Sequence, residues 1–355
     1  MFAPEYFLIV FLYISLFLLH QIRADKVSIF LILFITIFFA LRGDCLPDYT
    51  SYQYFYKNWA PSDFGDASWL GGLEPGFGLI GFFLNQIGIS FPFYLIIIQS
   101  VSVSLKFFTF RLALGSVGTI AIAIFFAKFF PFYELVTVRQ GLAMSTGILF
   151  TYLHANKSKY ALPLLFLTIL IHAASSIFIL VYFKKYIYPL VTSLKFILTI
   201  CALFLLTNVV TYVIDAGNRL GVLPEVVTYY YYVANEVSEG ASITSFQSVI
   251  KTLVGFIYFL IVFFHHKRLF NLSEFEKINF MLFSISNSMR VVFVDFAILA
   301  GRGSSILGLS ECFISAIYYQ SSKTNIRAII FFYYLFQLLI TLMLGSIYKD
   351  YWSIF

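Results

Sequence analysis

Residues 42–52 read RGDCLPDYTSY and directly follow an apolar run, Ile29–Leu41. They open a polar stretch that ends at Pro75 and holds one Arg, one Lys, four Asp and one Glu. Only 11% of the chain is charged, and charge beside a membrane core is costly unless it is paired or used. We therefore predict that Arg42–Pro75 forms the edge of a functional site. The apolar segments would hold this loop at the surface of a bilayer.

The composition predicts an integral membrane protein. The chain is 61% hydrophobic and 21% aromatic, whereas soluble domains are about half apolar and a quarter charged. The basic residues, which give a net charge of +6, stand mainly at the ends of apolar runs, as in cytoplasmic loops of membrane proteins. This pattern does not indicate nucleic-acid binding. Three scattered cysteines do not predict a disulfide framework.

The fold class predicted from these runs is all-α, a polytopic transmembrane helical bundle with eleven or twelve apolar segments. A helix needs about 20 apolar residues to cross a bilayer, and we treat residues 1–355 as one domain. Gly76–Ile89 is short for a full span and is compatible with a re-entrant segment. The apolar segments are Tyr6–Ile22, Val27–Leu41, Gly76–Ile89, Phe91–Phe110, Leu112–Phe130, Pro131–Leu153, Ala161–Phe183, Pro189–Ile214, Val249–Phe264, Ile278–Ala300, Ile306–Gln320 and Ile326–Ile347.

The charges between the segments predict the topology. A basic turn at Arg23–Lys26 is expected in the cytoplasm, which puts the N-terminus outside, on the periplasmic side. Two long polar loops, Arg42–Pro75 and Asp215–Ser248, are then also expected outside. The lysine pairs 157/159 and 184/185 flank a single segment, although both favour the cytoplasm. Either one segment is re-entrant or one lysine pair lies outside.

Two arginines lie within apolar segments. Arg139 is expected about 12 Å below the outer membrane boundary, where an arginine should face a polar cavity or an anion. An ion pair with Glu134 or with another helix is the alternative. Asn279, Ser286 and Arg290 are spaced by seven and four residues, so they share one inward helical face. Arg290 is therefore either a functional residue or a buried structural one.

The candidate proton acceptors are His172, Asp48 and Glu74. The imidazole lies in an apolar segment, next to small residues that permit close helix approach, and its ordinary pKa suits proton transfer. A satisfied core histidine and solvated loop carboxylates are the alternatives. Tyr49 and Tyr52 offer aromatic faces that suit sugar rings, or they belong to the aromatic belt of the membrane interface.

Arginines beneath two outer polar loops suit a multiply charged anion at the outer leaflet. A guanidinium binds phosphate bidentately and keeps its charge when desolvated. A lipid-linked pyrophosphate fits this arrangement, because its charge lies at the headgroup level and its tail lies in lipid.

These motifs, in their order along the chain, resemble the EpsG-like family of bacterial polysaccharide polymerases, which includes the Wzy-type O-antigen and capsule polymerases. The resemblance covers roughly residues 30–300. It departs at 44–47, where Asp-Cys-Leu-Pro stands in place of the Gly-rich approach that the family tends to show. The motifs are Arg42, the pair Asp48-Tyr49 with Tyr52, Glu74-Pro75 before an apolar helix, Arg139-Gln140 opening a segment, His172 within a segment, and Arg290.

The resemblance implies a polymerase of polyprenyl-pyrophosphate-linked oligosaccharides at the outer face of the bacterial inner membrane. A hydroxyl of one repeat unit would attack the anomeric carbon of the other chain, and polyprenyl pyrophosphate would leave. No cofactor and no metal is expected, and a chain-length regulator is a candidate partner beside the two lipid-linked substrates. The expected roles are pyrophosphate binding by Arg42, Arg139 and Arg290, proton transfer by His172, Asp48 or Glu74, and sugar contact by Tyr49, Tyr52 and Gln140.

Three other functions stay open at this point. A flippase or transporter of lipid-linked oligosaccharides would also line a cavity with arginines, although many transporters show internal repeats and we find none here. A polysaccharide acyltransferase would also use a membrane histidine, and His20 ends the first segment. A structural subunit without a site is disfavoured by the charges within apolar segments.

Overall fold

The structure, a computed structural model, describes residues 4–22, 25–41, 48–58, 74–205, 217, 242–266, 272–292, 303–321 and 324–344. Within these residues all regular secondary structure is helical, which confirms the all-α prediction. The chain packs into two compact units, Met1–Ile179 with Cys312–Phe355, and Leu180–Glu311. The prediction of a single domain stays a prediction.

The α-helices are numbered in chain order. A 3-10 turn, Gly115–Val117, and a 3-10 helix, Ala173–Phe183, lie between them. The helices are α1 Pro4–Gln21, α2 Asp25–Ala40, α3 Tyr49–Asn58, α4 Pro75–Gln86, α5 Phe91–Leu114, α6 Gly118–Lys128, α7 Phe130–Tyr133, α8 Val138–Ala155, α9 Ala161–Ile171, α10 Lys184–Val191, α11 Leu194–Leu205, α12 Ser242–His266, α13 Glu274–Val292, α14 Ser304–Ile306, α15 Leu309–Ser321 and α16 Thr324–Leu344.

The first unit is built around α5 and α6. Helix α5 packs against α2, α6 and α8, and α6 also packs against α1 and α16. Every residue of α6 from Gly118 to Ala127 is buried, as expected for a helix that is apolar on all sides. The surface of this unit also carries apolar side chains: Phe11 and Phe30 are 60% and 67% exposed. Apolar side chains on both the inside and the outside suit a lipid environment.

Two helical stretches among the described residues are long and apolar enough to cross a membrane. They are Phe91–Lys128, which includes the turn at Gly115, and Ala173–Val191. Shorter apolar helices accompany them, so the helices fit a membrane protein. The number of spans, the re-entrant segment and the position of each loop stay predictions.

In the second unit, α13 is the central helix. Helices α10, α11 and α12 all pack against it. Asn279 and Ser286 on α13 are buried, so the polar face predicted from their spacing does point inward. Arg290 is half-buried on the same helix.

Three boundaries differ from the sequence prediction. The loop Arg42–Pro75 contains the helix α3, because Tyr52 and Tyr56 are four residues apart and bury one face together. The break predicted at Arg111 lies instead at Gly115, whose φ of +59° is a conformation that glycine adopts without strain.

The third difference concerns the segment Ala161–Phe183, which is not one continuous helix. Helix α9 ends at Ile171, and His172 has extended backbone angles, φ −155° and ψ 112°. The histidine therefore lies at the end of a helix and not at the centre of a span. At this position the imidazole reaches the carboxylate of Glu74, which precedes α4.

Candidate functional site

Glu74 is the residue around which the candidate site is arranged. It stands directly before α4 with the extended backbone of an N-cap, and Pro75 takes the first helical position. Proline suits that position because the N–H it lacks would have no helical partner there. A carboxylate beside a helix N-terminus is favoured by the helix dipole. The start of α4 thus fixes where the carboxylate lies.

The Glu74 carboxylate binds two side chains from other helices. Nη1 of Arg139 donates to Oε2 at 2.6 Å, and Nδ1 of His172 lies 2.6 Å from Oε1. An ionised carboxylate only accepts hydrogen bonds, so Nδ1 carries the proton in this contact and Nε2 is the basic nitrogen of the neutral ring. We call Glu74, Arg139 and His172 the Glu74 cluster.

A tight turn before α8 positions Arg139. Arg139 lies in the first turn of α8, two residues before Gly141. A Cβ at Gly141 would lie 2.4 Å from the carbonyl oxygen of Tyr133, so only glycine permits this close approach. The guanidinium of Arg139 lies 5.6 Å from the ring centroid of Tyr52, within the range of a cation–π contact.

A second glycine lets α4 approach the end of α9, directly before His172. A Cβ at Gly76 would meet the backbone carbonyl of Leu170 at 2.8 Å. Leu170 and His172 are two residues apart, and Gly76 and Glu74 are also two residues apart. The close helix contact therefore sets the distance between the carboxylate and the imidazole.

An apolar cluster lies beneath these polar side chains and joins five helices. It holds Tyr52 and Tyr56 from α3 together with side chains from α4, α5, α8 and α9. The hydroxyl of Tyr56 donates to the carbonyl of Ile89 at 2.6 Å, and Nδ2 of Asn85 donates to the carbonyl of Tyr56 at 3.1 Å. Packing and hydrogen bonds together hold α3 on the end of the bundle, beside the Glu74 cluster.

The electrostatics of the cluster keep Glu74 ionised. Burial acts to raise the pKa of Glu74, but the hydrogen bond with His172 and the charge of Arg139 outweigh it, and the pKa lies below its usual value. Burial also raises the pKa of the Tyr52 phenol, although Arg139 opposes this. At neutral pH the site holds a carboxylate, a guanidinium and a neutral phenol.

The Glu74 cluster is accessible from outside the unit. The side chains of Arg139 and His172 are 26% and 21% exposed, and that of Glu74 is 11% exposed. A substrate can therefore contact the arginine and the histidine, whereas the carboxylate that joins them lies deeper.

The other predicted residues near this site occupy different positions. The carbonyl of Asp48 accepts a hydrogen bond from the N–H of Tyr52 at the start of α3, at 3.0 Å, and its charge acts on the Tyr52 phenol. The Tyr49 ring packs edge-on against Phe91 at 5.0 Å. Gln140 is buried, at 2% exposure. Their roles in proton transfer and sugar contact stay predictions.

Pyrophosphate binding was also predicted for two further arginines, Arg42 and Arg290. Arg42 lies outside the described residues. Arg290 belongs to the second unit, where its Nε donates to Oγ of Ser304 at 3.1 Å. Pyrophosphate binding by these two residues stays a prediction.

Lys106 is a charged residue that sequence reasoning missed. It is fully buried on α5, and its Nζ lies 2.6 Å from Oε1 of the equally buried Glu134. It also donates to the carbonyl of Gly141 at 2.8 Å and to the hydroxyl of Ser145. Glu134 therefore pairs with Lys106, while Arg139 pairs with Glu74. A lone lysine within the apolar run Phe91–Phe110 was the available signal.

Comparison with known proteins identifies the family. No curated protein and no solved structure matches the chain. The model of the EpsG family matches residues 25–353, a range that includes the whole Glu74 cluster. Members of this family are associated with a polymerase-like role in polysaccharide biosynthesis. Because the match covers nearly the whole sequence, the chain belongs to the EpsG family.

Proposed function

We propose that the chain joins polyprenyl-pyrophosphate-linked oligosaccharide repeat units into a longer glycan. It would act as a membrane glycosyltransferase at the outer face of a bacterial inner membrane. Family membership supports the reaction class. The observation that supports the chemistry is the Glu74 carboxylate, which lies 2.6 Å from both Arg139 and His172.

In the proposed reaction, a hydroxyl of the acceptor glycan attacks the anomeric carbon of the donor's reducing-end sugar. The bond between that carbon and the pyrophosphate oxygen breaks, and its electron pair leaves with polyprenyl pyrophosphate. The hydroxyl proton passes to Nε2 of His172. Glu74 holds the ring in the required tautomer and stabilises the imidazolium that forms, as a carboxylate does for a histidine base in other enzymes.

Arg139 is proposed to stabilise the charge that develops on the leaving pyrophosphate. A guanidinium stays ionised when desolvated and matches two phosphate oxygens at once. Its bond to Glu74 holds it beside the imidazole before substrate arrives, and such preorganised charge contributes strongly to catalysis. Arg42 and Arg290 are proposed as further pyrophosphate contacts, and Tyr49, Tyr52 and Gln140 as sugar contacts.

The geometry favours His172 over the two carboxylates as the base. Glu74 already accepts from both neighbours, and its lowered pKa makes it a weak proton acceptor. Among the described residues, the Asp48 side chain makes no hydrogen bond or ion pair with the cluster. We therefore assign Glu74 as the positioning residue of the histidine.

A surface-glycan gel tests the proposed function. The host carries the genes for the matching repeat unit but lacks this gene, and the gene is then restored. Single repeat units on the acceptor without the gene, and a ladder with it, are expected of a polymerase. If loss removes even the single unit and lipid-linked repeats accumulate inside the cell, the protein is a flippase.

A further inference from the structure

A polar pocket lies at the opposite end of the first unit from the Glu74 cluster. It has a volume of about 230 Å³ and is lined by His20, Gln21, Ser116, Tyr319, Gln320 and Arg327. The apolar cluster beneath Glu74 takes side chains from the first part of α5, between Phe91 and Ile98, whereas the pocket lies just beyond the end of that helix, at Ser116. The two sites therefore lie towards different ends of α5.

The chemistry of the pocket favours an anion. None of the described residues that line it carries a carboxylate, and Arg327 makes no ion pair with a described residue. Nε and Nη2 of Arg327 donate to the carbonyls of Tyr319 and Gln320 at 2.9 and 3.2 Å. A guanidinium has five N–H donors, so these two bonds fix its orientation and leave three donors for another acceptor.

The neighbouring side chains add to this binding capacity. Nε2 of Gln21 donates to the hydroxyl of Tyr319 at 3.0 Å, which positions both groups at the pocket wall. Nδ1 of His20 lies 3.2 Å from the carbonyl of Ser116, so it is the protonated nitrogen in that contact. The volume of the pocket is several times the roughly 30 Å³ that one water occupies in the liquid. The pocket therefore has room for a phosphate group.

The surroundings indicate a lipid as the source of that phosphate. Leu18 and Ile22, beside His20 in sequence, are 62% and 72% exposed, and acyl chains would cover such side chains in a bilayer. Further cations stand close in sequence at Arg23, Lys26 and Lys323. Basic pockets between apolar helices recognise anionic lipid headgroups, and adjoining Lys and Arg residues strengthen the attraction.

We infer that this pocket binds the headgroup phosphate of an anionic phospholipid, at the membrane face opposite the Glu74 cluster. The inference takes the chain to be a membrane protein, as its composition and apolar helices indicate. It does not depend on the proposed glycosyl transfer. Arg327 supplies the positive charge and the N–H donors for the phosphate, and Gln21 and His20 line the pocket beside it.

The test counts phospholipids bound to the purified full-length chain by native mass spectrometry in detergent. Phosphatidylglycerol and zwitterionic phosphatidylcholine are the two probes. Arg327→Gln is expected to weaken phosphatidylglycerol binding by about fivefold, the effect of removing one cation near an anionic lipid surface. Phosphatidylcholine binding is expected to be weaker throughout and insensitive to this change.

Two further variants make the test specific to the pocket. Ser116→Asp places a carboxylate at the exposed pocket edge without removing the Arg327 hydrogen bonds, and it is expected to weaken phosphatidylglycerol binding as well. Lys159→Gln is the matched control, because Lys159 is an exposed cation beyond the far end of α8 and does not line the pocket. It is expected to bind phosphatidylglycerol like the unaltered chain.

Three results would overturn the inference. An equal loss in Lys159→Gln would assign the effect to general surface charge. Unchanged binding in both Arg327→Gln and Ser116→Asp would show that the lipid lies elsewhere. Displacement of the lipid by millimolar inorganic phosphate would assign the pocket to a soluble anion.

Discussion

Oε1 of Glu74 and Nδ1 of His172 lie 2.6 Å apart although the two residues are 98 positions apart in the chain. The two atoms can meet because α4 begins beside the residue at which α9 ends. Arg139 reaches the other oxygen of the same carboxylate from α8. Three elements therefore meet at one carboxylate, and changes that disturb this meeting point should affect both stability and activity.

Glu74→Gln keeps the shape of the side chain but removes its charge. It breaks the ion pair with Arg139 and weakens the hydrogen bond from His172, so we expect it to lower the melting temperature of the detergent-purified protein at pH 7. A hydrogen bond to a charged group typically contributes about 1.5–3 kcal/mol, and partial exposure of the cluster puts the expected loss at the lower end.

The difference in melting temperature between the unaltered protein and Glu74→Gln should also depend on pH. The pKa of Glu74 is lower in the folded protein than the ordinary value of a glutamate, because His172 and Arg139 stabilise the carboxylate against the effect of burial. The resulting stabilisation is therefore complete above the unfolded pKa and is lost as the pH falls through the lower folded pKa. We expect a constant difference near neutral pH that shrinks below about pH 4. A difference that already shrinks between pH 7 and pH 6 would contradict this explanation.

Gly76→Ala tests the close approach of α4 and α9. The added Cβ would lie 2.8 Å from the backbone of Leu170, so the helices must separate and Glu74 must move away from His172. We expect a destabilisation of about 1–3 kcal/mol, measured by thermal unfolding, together with loss of polymer on the glycan gel.

Gly81→Ala is the matched control on the same helix. A Cβ there would find its nearest neighbour at 3.6 Å, an ordinary van der Waals distance. Alanine in a helix interior is favoured over glycine by roughly 0.5–1 kcal/mol. Equal destabilisation by the two changes would mean that the helix contact at Gly76 does not matter.

The sequence predicted the residues of the candidate site better than their arrangement. Arg139 and His172 could be singled out because charged or titratable groups are rare in apolar segments, and Glu74 because it ends the polar stretch Arg42–Pro75. Their pairing could not be predicted, because the sequence leaves open which helices are neighbours and where each one breaks. The alternative for Arg139 was an ion pair with Glu134 or with another helix. Arg139 pairs with Glu74 at the start of α4, and Glu134 pairs with Lys106.

Helix boundaries show the same limit. Hydrophobicity found the apolar runs but gave no reason to break Ala161–Phe183 at His172, since both sides are apolar. Nor did it reveal α3 within a polar loop, because the four tyrosines between residues 49 and 56 fit both an interfacial belt and a packed helix face. Packing against other helices decides such cases.

Lys106 and Glu134 form a fully buried ion pair, so removing one partner should cost more than removing both. Lys106→Met leaves a carboxylate buried without its cation, and Glu134→Leu leaves the ammonium. Each single change should destabilise the protein by about 3–5 kcal/mol, and the double variant should lose less than either single variant. Thermal unfolding of the three variants forms a double-mutant cycle, and additive losses would contradict a direct interaction.

Arg139→Lys keeps a positive charge but replaces the planar fork with a single ammonium. If the guanidinium stabilises the leaving pyrophosphate, polymer formation should fall by about 10²–10³-fold, and Arg139→Ala should abolish the ladder while the protein stays in the membrane. Immunoblots of the membrane fraction check the second point. A long polymer ladder from Arg139→Ala would rule out an essential role for this arginine.

If His172 takes the acceptor proton, its replacement should slow glycan extension by purified protein supplied with lipid-linked repeat units. The measurement is the initial rate of polyprenyl pyrophosphate release coupled to glycan extension, for the unaltered protein, His172→Gln and the control His154→Gln at the far end of α8. We predict a loss of about 10²–10⁴-fold for His172→Gln and a nearly unchanged rate for His154→Gln. A His172→Gln protein that extends glycan at the unaltered rate would show that this histidine is not the base.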